Sequence, residues 1–313
     1  MPFDVASPVT TEVLARLDDR PEVIQFGSAL TDGDYALLGD WFREHPEKTL
    51  RAYASYDGTI TDLDFLRHFP SLRSFQADAL FNSLVNIEGL GYLPDDVEFI
   101  GLGQTRRKMS LAPLARFTQL RRLYIEGHTK EIEVVSDLTE LRSVTLRSVT
   151  LPDLSLLTPL RQLRALDLKL GGTKNLALLP ELHSLKYLEL WMVKGLADLS
   201  PISGLTNLKY LFLQALRQVD TLPVMNGLVA LDRLWIETMK GLTDLAPIRN
   251  APSLRQLAVV DMAHLQPEAF APLTEHRTLE SLRAGLGSKR KNDAVDSLMG
   301  LPRTGDWKKP IGV

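Results

Sequence analysis

The sequence contains no cysteine. This excludes a disulfide framework, thiolate metal sites and a cysteine nucleophile, and a reducing compartment is the natural expectation. There is no Asn-x-Ser/Thr acceptor either. No apolar run approaches the roughly 18 residues of a membrane span, and the opening MPFDVASPVTTEV lacks a basic stretch followed by an apolar one. A cytoplasmic protein without a membrane partner is expected. Charge of one sign is lacking as well: the net charge is −3. Residues 1–48 carry ten acids and four bases, residues 286–313 carry three acids and six bases, and the stretch between is balanced. A neutral body lacks the strong positive field of a general nucleic-acid binder.

Motifs that carry chemistry are also missing. Gly285-Leu-Gly287-Ser-Lys289 lacks the spacing of a phosphate loop and reads as a connection, and Gly101-Leu-Gly103 has Arg106 where a third glycine would stand. The six histidines (His45, His68, His128, His183, His264 and His276) are scattered among turns and return segments with no metal-ligand spacing, and surface or turn positions are expected for them. No catalytic residue, metal or cofactor is expected.

What is present is a repeat, and internal periodicity decides the fold. LKYLELWMVKGLADLSPISGLTN (185–207), LKYLFLQALRQVDTLPVMNGLVA (208–230) and LDRLWIETMKGLTDLAPIRNAPS (231–253) are consecutive 23-residue units sharing LxxLxL. Leading apolar residues recur at Leu50, Leu72, Val97, Leu120, Leu141, Leu163, Leu185, Leu208, Leu231, Leu254 and Leu279, every 21 to 25 residues. On these residues, and on SGLTNL (203–208) above all, the chain resembles the leucine-rich-repeat family in its short 22-residue class, which includes internalin-like domains. The resemblance spans Leu50 to Ala284. It implies an α/β repeat solenoid, a horseshoe with a parallel β-sheet on the concave face and short helical turns or loops on the convex one, in a family that serves as inhibitors, adapters, receptors and adhesins.

The residues support the same architecture. In LxxLxL the fourth and sixth positions, such as Leu188 and Leu190, alternate with polar or aromatic neighbours as in a short strand. One unit cannot bury that face alone, so units must stack. Asp-Leu-Ser-Pro-Ile (198–202), Asp-Leu-Ala-Pro-Ile (244–248) and Leu-Ala-Pro-Leu (111–114) suit short helical turns, with Pro201 and Pro247 in the first turn and Ser200 able to cap. Where the family places an Asn three residues after the sixth position, this chain has Val149, Val193, Leu216, Met239 and Met262. Apolar packing or water must then satisfy the bend. Residues 1–48 read as an N-terminal cap, with a strand at Val23–Phe26 and an amphipathic helix over 31–46 facing the core with Tyr35, Leu38, Trp41 and Phe42. About eleven repeats fill 49–285, and 286–313 forms a capping helix over 292–302 and a loose basic tail, all in one continuous domain.

Positions three, five and seven face the concave side. There the units from Leu163 to Leu231 place Tyr187 beside Tyr210, Phe212 beside Trp235, and Trp191 on the same patch. Asp167, Lys169, Glu189, Arg233 and Glu237 ring this patch, and Tyr124 lies on the same face. Aromatics are only 7% of the chain, so their concentration here is informative. An exposed aromatic cluster with a charged rim has the composition of a protein-binding hot spot. Cross-strand stacking that merely stabilises the sheet is the alternative. Asp167 and Glu189 are adjacent, but on an open sheet they should stay solvated and untuned. Position two forms a basic rail of Arg51, Arg73, Arg121, Arg142, Arg164, Lys186, Lys209 and Arg255, interrupted by Glu98, Asp232 and Glu280. Bases are ordinary at this exposed position.

These features point to a protein-binding module, monomeric when free, most concretely an inhibitor or immunity-type protein masking an enzyme or toxin. The short repeats and absence of cysteine suggest a bacterial source. An adapter or an RNA- or anion-binding module using the basic rail is the second reading, with nucleic acid the less favoured partner, and an enzyme the third.

Overall fold

The computed structural model describes residues 2–18 and 22–309. The chain forms two compact units, one up to Leu141 and one from Arg142 onward. In the first, β1 (Phe3–Asp4), β2 (Val23–Phe26), β3 (Thr49–Tyr53), β4 (Ser74–Asp78), β5 (Phe99–Leu102) and β6 (Arg122–Glu126) each pair in parallel with the next. In the second, the same holds for β7 (Ser143–Arg147), β8 (Ala165–Lys169), β9 (Tyr187–Trp191), β10 (Tyr210–Gln214), β11 (Arg233–Glu237), β12 (Gln256–Val260) and β13 (Ser281–Ala284). Sequential parallel strands require a crossover on one side only. In most of them it is a short 3-10 turn, such as Asp64–His68, Ser200–Gly204 or Ala246–Asn250.

The repeat pattern fixes the core. Leu72, Val97, Leu120, Leu141, Leu163, Leu185, Leu208, Leu231, Leu254 and Leu279 are all buried, as are the fourth- and sixth-position residues beside them. Leu50 belongs to a different position. It pairs with Phe75, the fourth residue of its unit, rather than with Leu72. The first repeat is therefore three residues out of the phase read from the sequence, because Ala52 and Ala77 replace leucine at the sixth position and blur the motif. The shift moves Arg51 off the rail and onto the outer face of the sheet.

The bend after most of the strands has a recurring solution. Two residues beyond the sixth position the backbone is left-handed, with φ between 51° and 58° at Ala54, Ala79, Ser148, Leu170, Met192, Ala215, Thr238 and Asp261, and 76° at Gly127. One residue further, Val149, Val193, Leu216, Met239 and Met262 are buried. Thioethers partly replace the missing amide ladder: Leu216 N–H donates to Met239 Sδ at 3.4 Å, and Met239 N–H to Met262 Sδ at 3.1 Å. In the first unit His128 holds this position. It is buried, accepts from Met109 N at 3.1 Å through Nδ1 and donates through Nε2 to Gly103 O at 3.0 Å. The surface or turn environment expected for it is thus replaced by a structural one, because an imidazole can stand in for a side-chain amide.

Return turns such as Ser200–Gly204 and Ala246–Asn250 are capped by an aspartate two residues ahead of Ser200 and of its equivalent Ala246. Asp198 accepts from Ser200 N and Asp244 from Ala246 N, both at 2.8 Å, so Ser200 is the capped residue and not the cap. The N-terminal region has the strand Val23–Phe26 and the helix α2 (Asp32–Glu44), whose buried residues include Tyr35, Leu38, Trp41 and Phe42. It adds β1 and α1 (Thr11–Asp18), which lack a distinctive pattern. Gly39 brings α2 against the next turn: a Cβ there would lie 1.9 Å from His68 O. At the C-terminus α3 (Lys289–Met299) begins at Ser288, whose side chain accepts from Lys291 N, and ends at left-handed Gly300.

Candidate functional site

Ten of the eleven residues singled out from the sequence lie on the outer face of the second unit, supplied by β8 to β11. Their strand register is the expected one. Tyr187 is opposite Tyr210, Phe212 opposite Trp235, Asp167 opposite Glu189, and Lys169 opposite Trp191. Phe212 and Trp235 stack with centroids 6.3 Å apart. Tyr124 lies in the first unit, half-buried, with its hydroxyl donating to Glu126 at 3.0 Å.

The expected exposure does not hold. Tyr187, Phe212 and Trp235 retain 0%, 7% and 6% of their accessible surface, and Asp167 and Glu189 only 1% and 8%. The C-terminal segment, expected to be a loose tail, covers them. Leu282 N donates to Pro302 O at 2.9 Å and Thr304 N to Leu282 O at 3.2 Å, so the chain first pairs along the edge of β13. It then turns across the strands. Arg283 pairs with Asp306, and the Arg233 guanidinium donates to the carbonyls of Gly305 and Asp306 at 2.7 and 3.0 Å. Trp307 settles on three rings, with centroids 5.2 Å from Phe212 and 6.0 Å from both Trp235 and Tyr187. Lys309 binds Asp167, and its ammonium lies 4.8 Å from the Tyr187 ring centroid. Residues 310–313 of the expected tail lie outside the described residues.

Burial changes the acid pair. Lys169 Nζ bridges Asp167 at 3.1 Å and Glu189 at 3.0 Å, Tyr187 Oη donates to Glu189 at 2.6 Å, and Thr145 Oγ1 donates to Asp167 at 3.2 Å. Burial alone would raise the pKa of Asp167, but Lys309 and Lys169 outweigh it and hold the carboxyl below its ordinary value. Burial, with Asp167 as neighbour, raises Glu189. Burial first, then the adjacent carboxylates, raises the Tyr187 phenol. Lys169 is lifted by the two carboxylates, which overcome its own burial. The solvated, untuned carboxylates expected on an open sheet are therefore a buried ion cluster. Asp167 and Glu189 share Lys169 and each accepts a hydroxyl hydrogen bond, an arrangement that grips a cation.

The rim remains accessible. Trp191, Tyr210, Arg233 and Glu237 are half-buried, Arg147 lies 5.3 Å over the Trp191 ring, and Glu237 receives Gln214 at 2.6 Å and the Trp235 indole at 2.8 Å. A cleft of about 740 Å3 adjoins Tyr210, lined also by Lys209, Asp232, Arg255 and Glu280. The basic rail is largely neutralised where acids interrupt it: Arg73 pairs with Asp96 at 3.0 Å, Arg121 with Glu98 at 3.4 Å, and Arg255 with Asp232 at 2.5 Å. Among the described residues no group of three or more potential ligands could hold a metal, and no helix is long and apolar enough to cross a membrane.

Sequence reasoning missed Asp306, Trp307, Lys309 and the relocated Arg51. A usable signal existed for the first three. Asp-Trp-Lys-Lys (306–309) sets one of only four tryptophans in an otherwise polar terminal segment, a costly residue to leave solvated.

No known protein family's sequence profile matches the chain, and no curated protein matches it in sequence. Solved structures do match in fold. An internalin (inlF) of Listeria monocytogenes superposes with a TM-score of 0.54 at 19% identity, covering 83% of this chain and 77% of that one. A leucine-rich-repeat protein of Leptospira interrogans superposes with a TM-score of 0.53 at 15% identity, covering 97% and 89%. The chain thus has the leucine-rich-repeat solenoid fold, a parallel sheet with short helical returns. Its repeats are of the short internalin-like kind.

Proposed function

We propose that this protein acts by holding a protein partner on the outer face of its second unit and has no enzymatic activity. One observation carries the reading: that face already holds an extended peptide, its own C-terminal segment, through an aromatic stack and an ion cluster. Large aromatics at the centre of a strand face with charges around them are the composition of a binding hot spot. The more specific form is a cytoplasmic inhibitor or immunity-type protein of bacterial origin, monomeric when free, that masks an enzyme or toxin. Pairing within the rail disfavours a nucleic-acid reading, since paired arginines release few counterions from a phosphate backbone.

The test uses the accessible rim, where truncation spares the core. Affinity capture with the wild type and with a Trp191→Ala, Tyr210→Ala variant, the variant's fold checked by thermal melting, should lose the partner in the variant. Identical partners with both would refute the location. For a captured partner, affinity should change little between low and moderate salt, whereas a steep loss would favour the nucleic-acid alternative.

A further inference from the structure

We propose that the segment Leu301–Lys309 is an intramolecular ligand of the outer face, so that the partner site is masked in the free protein and the partner inserts a segment of the same chemistry: an acid, a large aromatic next to it, and a base two residues beyond. The inference rests on the binding reading above and gives it a ligand class.

The segment is held as a peptide ligand is held. Backbone pairing to a free strand edge fixes its direction at Pro302 and Thr304, the β-augmentation mode of peptide recognition. Three side-chain anchors follow in order: Asp306 on Arg283, Trp307 among Tyr187, Phe212 and Trp235, and Lys309 on Asp167. Ser281 and Thr304 add a hydroxyl contact at 2.8 Å.

Two features separate this from an ordinary terminal cap. A cap needs to cover the open end of the core, and α3 packs there with Val295 fully buried. The tail instead crosses from β13 to β8 over the face opposite the core, and so covers the aromatic patch rather than the open end of the solenoid. Moreover the receptor side is charged for a guest. Asp167 and Glu189 form a buried acid pair, and within the repeats they have one ammonium, Lys169, between them. The second cation, Lys309, comes from the tail. Without it two carboxyl groups share the single ammonium of Lys169, which favours a basic group in any replacement.

Tethering accounts for the masking. A segment joined directly to α3 has an effective concentration in the millimolar range, so a free peptide of equal intrinsic affinity competes poorly. A partner has to match all three anchors and add contacts on the rim, at Trp191 and Tyr210.

The test uses the full chain and a fluorescein-labelled peptide of residues 301–309, LPRTGDWKK. Anisotropy titration should show at least tenfold tighter binding to a Trp307→Ala, Lys309→Glu variant than to the wild type. A peptide with alanine in place of its tryptophan should not bind the variant. Lys309→Glu alone alters one exposed side chain, keeps Trp307 and leaves every repeat residue in place, and serves as a second variant that stays folded; it should give an intermediate gain. Equal binding to wild type and variants, or no binding to folded variants, overturns the inference. The failures are distinguishable: a partner captured equally by wild type and tail variants, with no peptide binding, would retain the binding face and remove the mask. Peptide binding with no partner dependent on Trp191 and Tyr210 would do the reverse.

Discussion

The outer faces of the two units solve one problem in opposite ways. In the first, charge is satisfied within the sheet. Arg51 donates to both oxygens of Asp78 at 2.6 Å and to Gln25 Oε1 at 3.0 Å, while Gln25 donates to Asp4 at 2.8 Å and Gln76 to Asp78 at 3.0 Å. The guanidinium also lies 3.9 Å over the Tyr53 ring. Every group in this row comes from a strand. In the second unit the row from Asp167 to Trp235 is incomplete by itself, and Trp307 and Lys309 finish it. A sheet face closed by its own strands is a scaffold; one closed by a segment from outside the repeats can exchange what closes it.

The comparison breaks most visibly at Lys169. Replacing it by methionine leaves Glu189 without a cation and Asp167 with Lys309 alone, and the second unit should lose about 3 kcal/mol of unfolding free energy. Urea unfolding can follow this by tryptophan fluorescence, since Trp191, Trp235 and Trp307 all lie in that unit and Trp41 alone in the first. A loss under about 1 kcal/mol would mean that the cluster is solvated. Arg51→Met removes the corresponding cation of the first unit, where the pair is less deeply buried. It should cost about 2 kcal/mol, and Arg51→Lys about 1, because an ammonium cannot reproduce the two-pronged contact. Equal costs for Lys169→Met and Arg51→Met would erase the distinction between the faces.

A pH titration sharpens the contrast further. Burial lowers the His128 pKa from 6.5, so the folded first unit keeps a neutral ring while the unfolded chain begins to protonate near pH 6.5. The unfolded state then binds more protons, and the stability supplied by His128 is full above that pH and declines as pH falls below it. His128→Gln can keep both hydrogen bonds and should flatten this slope, as measured by denaturation between pH 7.5 and 5.5 on the order of one kcal/mol per shifted unit. His276, also lowered by burial, leaves a slope in the second unit that the variant does not change. The smallest effect is expected at the second unit's bend: Met239→Leu keeps the volume but deprives Leu216 N–H of its acceptor, for about 1 kcal/mol in the same assay.

Much of this was legible in residues read in order. The LxxLxL period gave the strand positions, and its odd positions gave the pairings of Tyr187 with Tyr210 and Phe212 with Trp235, since a parallel in-phase repeat leaves one register. Where the period faded the reading slipped: alanines at 52 and 77 hid the phase of the first repeat and misplaced Arg51. The strand positions of the candidate residues were legible and their burial was not. Burial of Asp167 and Glu189 depends on a residue 142 positions away from Asp167, and no local pattern encodes a contact at that separation.

Sequence by itself therefore determined the solenoid, because hydrophobic residues repeating every 21 to 25 positions can be buried only by stacking like on like. Only the tertiary structure decided what covers the outer face. That outcome turns on one short terminal segment, whose acid, indole and ammonium find Arg283, the aromatic trio and Asp167 once the six strands β8 to β13 have been aligned beneath them.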